Sequence, residues 1–177
     1  DLVAKGSDSL GVVNKARLIN AWGVCGNHED QVLRWYEFLQ GPGKGLSEED
    51  IKALENSDDL PYDDFKFNSG HYDIASTMSS CDFSYLAQFP TIMALPDPYS
   101  EWVVTHGGMD PSKAILAQDP KDVMSMRNIG PDGPFSKADG GDAWFEVWAD
   151  KIGPLSRNSV STSSQDTASL HEIQFKK

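Results

Sequence analysis

The 177-residue chain predicts an α/β fold, and three observations carry that expectation. The run "AWGVC", residues 21–25, is short and apolar, stops at Gly26, and is followed by Val32, Leu33, Tyr36 and Leu39 at helical spacing. Strand, Gly-containing loop and amphipathic helix in that order are the rhythm of α/β proteins. Two β-rich runs, Thr91 to Leu95 and "EWVVT", residues 101–105, flank the turn-forming "PDPYS" and read as a strand pair. With 39% hydrophobic and 24% charged residues, the chain is long enough to bury a core.

Taken in order, Ser7 and Asp8 cap a helix to about Asn20, in which Leu10, Val13, Ala16 and Ile19 recur on one face. "AWGVC" reads as a buried strand, with Asn27 and His28 in the loop behind it. The next helix stops at Gly41-Pro42-Gly43, and Ser47 with Asp50 opens a short acidic helix through about Glu55. "PYDDFKFNSGHYD", residues 61–73, has mixed patterning and reads as a loop laid over the surface. The pair near residues 91–105 reads as a hairpin whose tip carries His106. Short helices are expected over 112–117 and 121–126, then a Pro- and Gly-dominated loop over 130–142. From Ser156 to Ser169, eight of fourteen residues are Ser or Thr with almost nothing to bury. The expected organisation is one globular domain over 1–152 and a disordered tail over 153–177.

A formal charge of −12 argues against nucleic acid or an anionic membrane as main partner, and an anionic substrate needs locally concentrated positive charge. No apolar run approaches the length of a spanning helix. Cys25 and Cys81 have no metal-type spacing and read as buried thiols of a reducing compartment, so an intracellular setting, cytoplasm or vacuole, is expected. The first residue is Asp1 rather than Met, which reads as a processed, truncated or incompletely recorded start.

Three element ends present metal-type donors: Asp1 in "DLVAKG", Asn27 and His28 in "GNHE", and His106 in "VVTHGG". All are hard or borderline donors suited to zinc, manganese or iron. In this arrangement the chain resembles the calcineurin-like metallophosphoesterases, whose motifs run GDxHG, GDxxxxG, GNH(D/E), HxG and GH. It matches the second from the Asp onward, the third fully and the fourth in "HGG". "DLVAKGSDSLGVV" and "MRNI", residues 126–129, look like the branch of diadenosine-tetraphosphatase-like and fungal zinc-dependent endopolyphosphatase-like enzymes. Protein Ser/Thr phosphatases, the alternative branch, carry Asp and Arg where Ala4 and Lys5 stand and Arg where Cys25 stands. Ser7 departs from the closer branch, which has Pro there.

The resemblance implies a β-sandwich flanked by helices, incomplete here because the first strand-loop motif is missing. It implies a phosphoesterase acting on phosphoanhydride bonds, with polyphosphate or a dinucleoside polyphosphate as substrate. Two divalent ions, zinc, manganese, cobalt or iron, would serve the full-length parent. Asp1 would bridge them, Asn27 and His106 would ligate one, and His28 would act as the acid for the leaving oxygen. Lys5 as a point charge and Arg127 as a fork would clamp the phosphate. His71 follows Gly70 but precedes "THGG", the wrong order for the last motif, and reads as a loop histidine; His171 sits in the Ser/Thr-rich tail. With the first and last motifs not visible, a catalytically dead remnant or a binding module that kept the fold alone are the competing readings.

Overall fold

The computed structural model describes residues 1–136 and 140–156. They form two compact units: Asp1–Trp22 with Asn27–Phe89, and Gly23–Gly26 with the chain from Pro90 onward. Residues 157–177, most of the expected tail with His171, lie outside the described residues.

The first unit is helical. Helix α1 (Ser9–Leu18) starts where its cap dictates: the Asp8 carboxylate accepts from Gly11 N–H at 2.8 Å, and Lys15 and Arg17 in the last turn complement the helix dipole. Helix α2 (Asn27–Gln40) buries Glu29, Val32, Trp35 and Phe38, one stripe at three-residue spacing. Helix α3 (Glu48–Asn56) opens on a complete capping box between Ser47 and Asp50. Beyond it come a 3₁₀ turn (Phe67–Ser69) and the short helices α4 (His71–Thr77) and α5 (Ser80–Leu86). Helix α4 packs on α2, and α1 packs on α5.

Two expectations fail in this unit. The segment over residues 61–73 is no surface loop: Phe65, Phe67 and Tyr72 are buried. The Trp35 indole stacks on the Phe65 ring at 4.1 Å between centroids and meets Tyr72 edge-on at 5.4 Å. Aromatic rings that pair across the unit supply burial without periodicity, so the pattern of the segment itself is mute. Asn27 and His28 also do not sit in a loop; they begin α2, with Glu29 and Asp30 in its first turn.

The second unit holds the described strands. Strands β1 (Ile92–Ala94) and β2 (Val103–Thr105) pair antiparallel, with Ile92 opposite Thr105. The turn of this hairpin is at "PDPYS", so His106 follows β2 at the open end rather than at the tip. Helix α6 (Pro120–Ser125) has Asp119 as its cap and Pro at its start. Strands β3 (Asn128–Gly130), β4 (Gly133–Phe135) and β5 (Asp142–Ala143) form an antiparallel sheet of order β4-β3-β5, and helix α7 (Trp144–Ser156) follows. Ile92, Met109 and Val123 make the core, packed by Val103, Ile115 and Trp148.

"AWGVC" makes no strand. Trp22 is 70% exposed, and within the second unit Cys25 N–H donates to Pro90 O at 2.9 Å. An apolar run becomes a strand only where a neighbour completes a ladder. Cys81, expected buried, is exposed. The architecture is thus mixed α and β, with seven α-helices and two small antiparallel sheets among the described residues, compatible with a phosphoesterase-like fold. No helix among the described residues is long and apolar enough to cross a membrane.

Candidate functional site

Four of the six residues singled out from the sequence belong to the first unit: Asp1, Lys5, Asn27 and His28. His106 and Arg127 belong to the second. His28 is in the first turn of α2, its side chain 17% exposed, with Nε2 3.9 Å from Asp1 Oδ2. The loop carrying Asp1 is tied to the same helix turn. Glu29, only 1% exposed, accepts from Leu2 N–H at 2.5 Å and Val3 N–H at 3.1 Å through Oε1. A buried carboxylate is costly unless it is hydrogen-bonded, and two backbone donors aimed at one oxygen answer that cost. The acidic residue of "GNHE" therefore secures the chain on which Asp1 sits.

His28 also meets a residue that sequence reasoning set aside. His28 Nδ1 is 2.7 Å from His71 Nε2, with the ring centroids 5.1 Å apart and the planes within 19°, and His71 Nδ1 is 3.0 Å from Ser69 Oγ. His71 is buried and opens α4, where Gly70, at φ +76°, turns the chain out of the 3₁₀ segment. A left-handed residue just before a helix is a position for Gly, so "SGHY" carried the one local hint that His71 is aimed rather than loose.

Burial is the largest cause holding the His28 imidazole below its ordinary pKa of 6.5, with the Lys5 cation reinforcing it and the neighbouring Glu29 opposing it. The Asp1 carboxylate, at the limit of ion-pair distance, does not reverse the balance. His71 is lowered as well, first by burial and then by His28 and Lys5. Lys5 is exposed, and its charge lowers the pKa of both imidazoles.

In the second unit, His106 is half-buried directly after β2, with its Nε2 atom covered. The two glycines behind it are required by packing. A Cβ on Gly107 would stand 2.7 Å from Val123 O, and one on Gly108 would stand 2.5 Å from the Trp144 ring. Arg127 is exposed; its backbone N–H donates to Phe135 O at 2.8 Å, leaving the guanidinium at the surface of the sheet.

For a metal, the first unit offers the Asp1 carboxylate and the Asn27 amide. Among the described residues no group of three or more His, Cys, Asp or Glu side chains stands close enough to share one ion. Two donors fall short of the three or four protein ligands that a tightly held divalent ion takes, so the described residues do not by themselves fit a metal centre.

No protein-family model and no curated protein sequence matches the chain. Among solved structures it is similar to the "Crystal structure of a putative diadenosine tetraphosphatase", with 26% identity over 84% of this chain and a TM-score of 0.61. The chain spans about half, 54%, of the length of that structure. The likeness supports the mixed α and β fold described above.

Proposed function

We propose that the chain is part of a metal-dependent phosphoesterase that hydrolyses phosphoanhydride bonds, with polyphosphate or a dinucleoside polyphosphate as substrate. The observation that carries this reading is the "GNHE" turn in a chain similar to a diadenosine-tetraphosphatase-type structure: His28 stands beside Asp1, Glu29 ties down the Asp1 loop, and Lys5 adds a cation. Lys5 would draw in a phosphate, and Arg127 would add a two-pronged contact in the assembled protein. The negative charge of a bound phosphate opposes the effect of Lys5 on His28 and raises its protonated fraction. The imidazolium then supplies the proton that the leaving oxygen needs.

Two divalent ions, with Asp1, Asn27 and His106 among their ligands, belong to this proposal as a property of a longer protein carrying the chain. Such ions would supply an activated water and neutralise phosphoryl charge. A second reading is a catalytically inactive binding module. The test is to assay the longer protein, loaded with zinc, manganese or cobalt, on diadenosine tetraphosphate, polyphosphate and a phosphopeptide. Metal-dependent cleavage of either of the first two is expected. Activity on the phosphopeptide alone would make it a protein phosphatase, and none at all would leave the binding module.

A further inference from the structure

We propose that His71 is a positioning residue that fixes His28 as its Nδ1–H tautomer and leaves Nε2 as the nitrogen that carries the exchangeable proton. For its role in turnover this rests on the reading of His28 as the leaving-group acid; the tautomer itself does not depend on that reading.

The hydrogen-bond chain has one consistent direction. Ser69 Oγ is 2.6 Å from Lys66 O, and a carbonyl oxygen only accepts, so the single hydroxyl proton is committed there. Toward His71 the hydroxyl then has only lone pairs, and the 3.0 Å contact is a bond donated by His71 Nδ1–H. A neutral imidazole has one donor and one acceptor, so His71 Nε2 is the acceptor. The nitrogen 2.7 Å away, His28 Nδ1, must carry the proton. His28 Nε2 is left facing Asp1.

A protonated His71 would reverse the bond between the rings. His71 is buried, and burial with the His28, Lys5 and Arg34 charges lowers its pKa while Asp64 opposes them, so above the pH at which either ring is charged the direction set at Ser69 stands. Protonated His28 therefore carries its added proton on Nε2. In the hydrolysis step a water oxygen bonds to phosphorus as the bond to the leaving oxygen breaks, the Nε2–H proton passes to that leaving oxygen, and His28 returns to the Nδ1–H form. Its bond to His71 is unchanged throughout, so no ring flip or proton shuffle accompanies transfer. The sequence reading missed this because His71 lies 43 residues from His28 and gains its role only through the packing of α4 on α2.

The test uses the 177-residue chain labelled with nitrogen-15 at histidine, above the pH at which His28 is charged. Long-range proton–nitrogen spectra should show His28 with protonated Nδ1 and bare Nε2. His71→Phe, which keeps a ring but no acceptor, should give His28 an averaged mixture. His71→Gln, whose amide oxygen still accepts, should restore the single form. A wild-type His28 protonated on Nε2, or an unchanged spectrum in His71→Phe, overturns the proposal. Should His71→Phe not fold, Ser69→Ala decides: it frees His71 to reverse and should average His28, and an unchanged spectrum again overturns it. In the longer enzyme, His71→Phe should lower kcat roughly 10- to 100-fold with KM little changed, and His71→Gln should recover most of it. The expected tautomer in a protein that cleaves no phosphoanhydride would sink the proposed function and leave the positioning of His28 by His71 standing.

Discussion

Glu29 holds Val3 by its backbone: Oε1 of a side chain that is 1% exposed accepts Val3 N–H at 3.1 Å, and the same oxygen takes Leu2 N–H. Because Glu29 follows His28 directly on α2, one helix turn carries the imidazole and secures the loop bearing Asp1.

Replacing that carboxylate should loosen the loop in proportion to what is left unsatisfied. Glu29→Ala strands the buried Val3 amide, roughly 1–3 kcal/mol, and a partly buried Leu2 amide at less, whereas Glu29→Gln keeps an oxygen and should cost about 1 kcal/mol. Urea unfolding of the two variants measures the gap. Equal stabilities would mean that the Leu2 and Val3 bonds contribute little.

The aromatic cluster on α2 makes a second, sharper contrast. Trp35 is fully buried between Phe65, Phe38 and Tyr72, while Trp22 is 70% exposed. Trp35→Ala should cost about 3–5 kcal/mol and Trp22→Ala within about 0.5 kcal/mol. Thermal unfolding checks both, and a large loss at Trp22 would show that its exposure has been misjudged.

These contrasts also mark what the sequence could say. The starts of α1 and α3 were legible because caps are local: Asp8 binds three residues ahead, and Ser47 and Asp50 satisfy each other. Strands β1 and β2 were legible from their β-rich composition. The Phe65 to Tyr72 segment was not, since its burial is decided by Trp35, thirty residues away in sequence. "AWGVC" was misread because hydrophobicity says that a run is buried, not that a neighbour completes its ladder. The β3–β4 hairpin hid behind Pro131, Gly133 and Pro134, residues that signal a turn and mask the strands around it. Of the site, Asp1 and His28 emerge as neighbours, while Glu29 and His71 acquire their roles only through contacts distant in sequence.

Acid should unmask the bond between Arg34 and Asp64. Arg34 donates Nη1–H to Oδ1 at 2.8 Å and Nη2–H to Oδ2 at 2.7 Å, which holds the Asp64 carboxyl below its ordinary 3.8 against the burial that pushes it up. A depressed folded pKa adds stability that is present above the unfolded pKa and lost as pH falls through the folded one. Wild type should thus lose stability more steeply than Asp64→Asn below about pH 4. Asp64 is 48% exposed, so the difference is small. Urea midpoints between pH 5 and pH 3 measure it, and parallel curves would rule out Asp64 as a source of acid sensitivity.

On the proposed function, His28→Ala in a metal-loaded protein that carries the chain should slow the chemical step by roughly two to four decades while the metal content stays unchanged, because a leaving-group acid contributes to rate without holding ions. Single-turnover rates and metal analysis on the same preparation separate the two. Loss of metal in step with rate would make His28 a ligand.

The 177-residue chain alone should show little phosphoanhydride turnover and hold at most one divalent ion, weakly. The first unit brings Asp1 and Asn27 as donors, and no group of three His, Cys, Asp or Glu side chains among the described residues completes a shell around them. An ion held by so few ligands stays hydrated and exchanges, and without a second ion neither the shared hydroxide nor the double charge neutralisation of two-metal hydrolysis is available. The net charge of −12 works against an anionic substrate in the same direction, leaving Lys5 and Arg127 to offset the surrounding carboxylates. Bound metal after dialysis and polyphosphate chain length over time are the measurements. Two tightly bound ions with metal-dependent shortening would overturn this expectation and would require ligands beyond Asp1, Asn27 and His106.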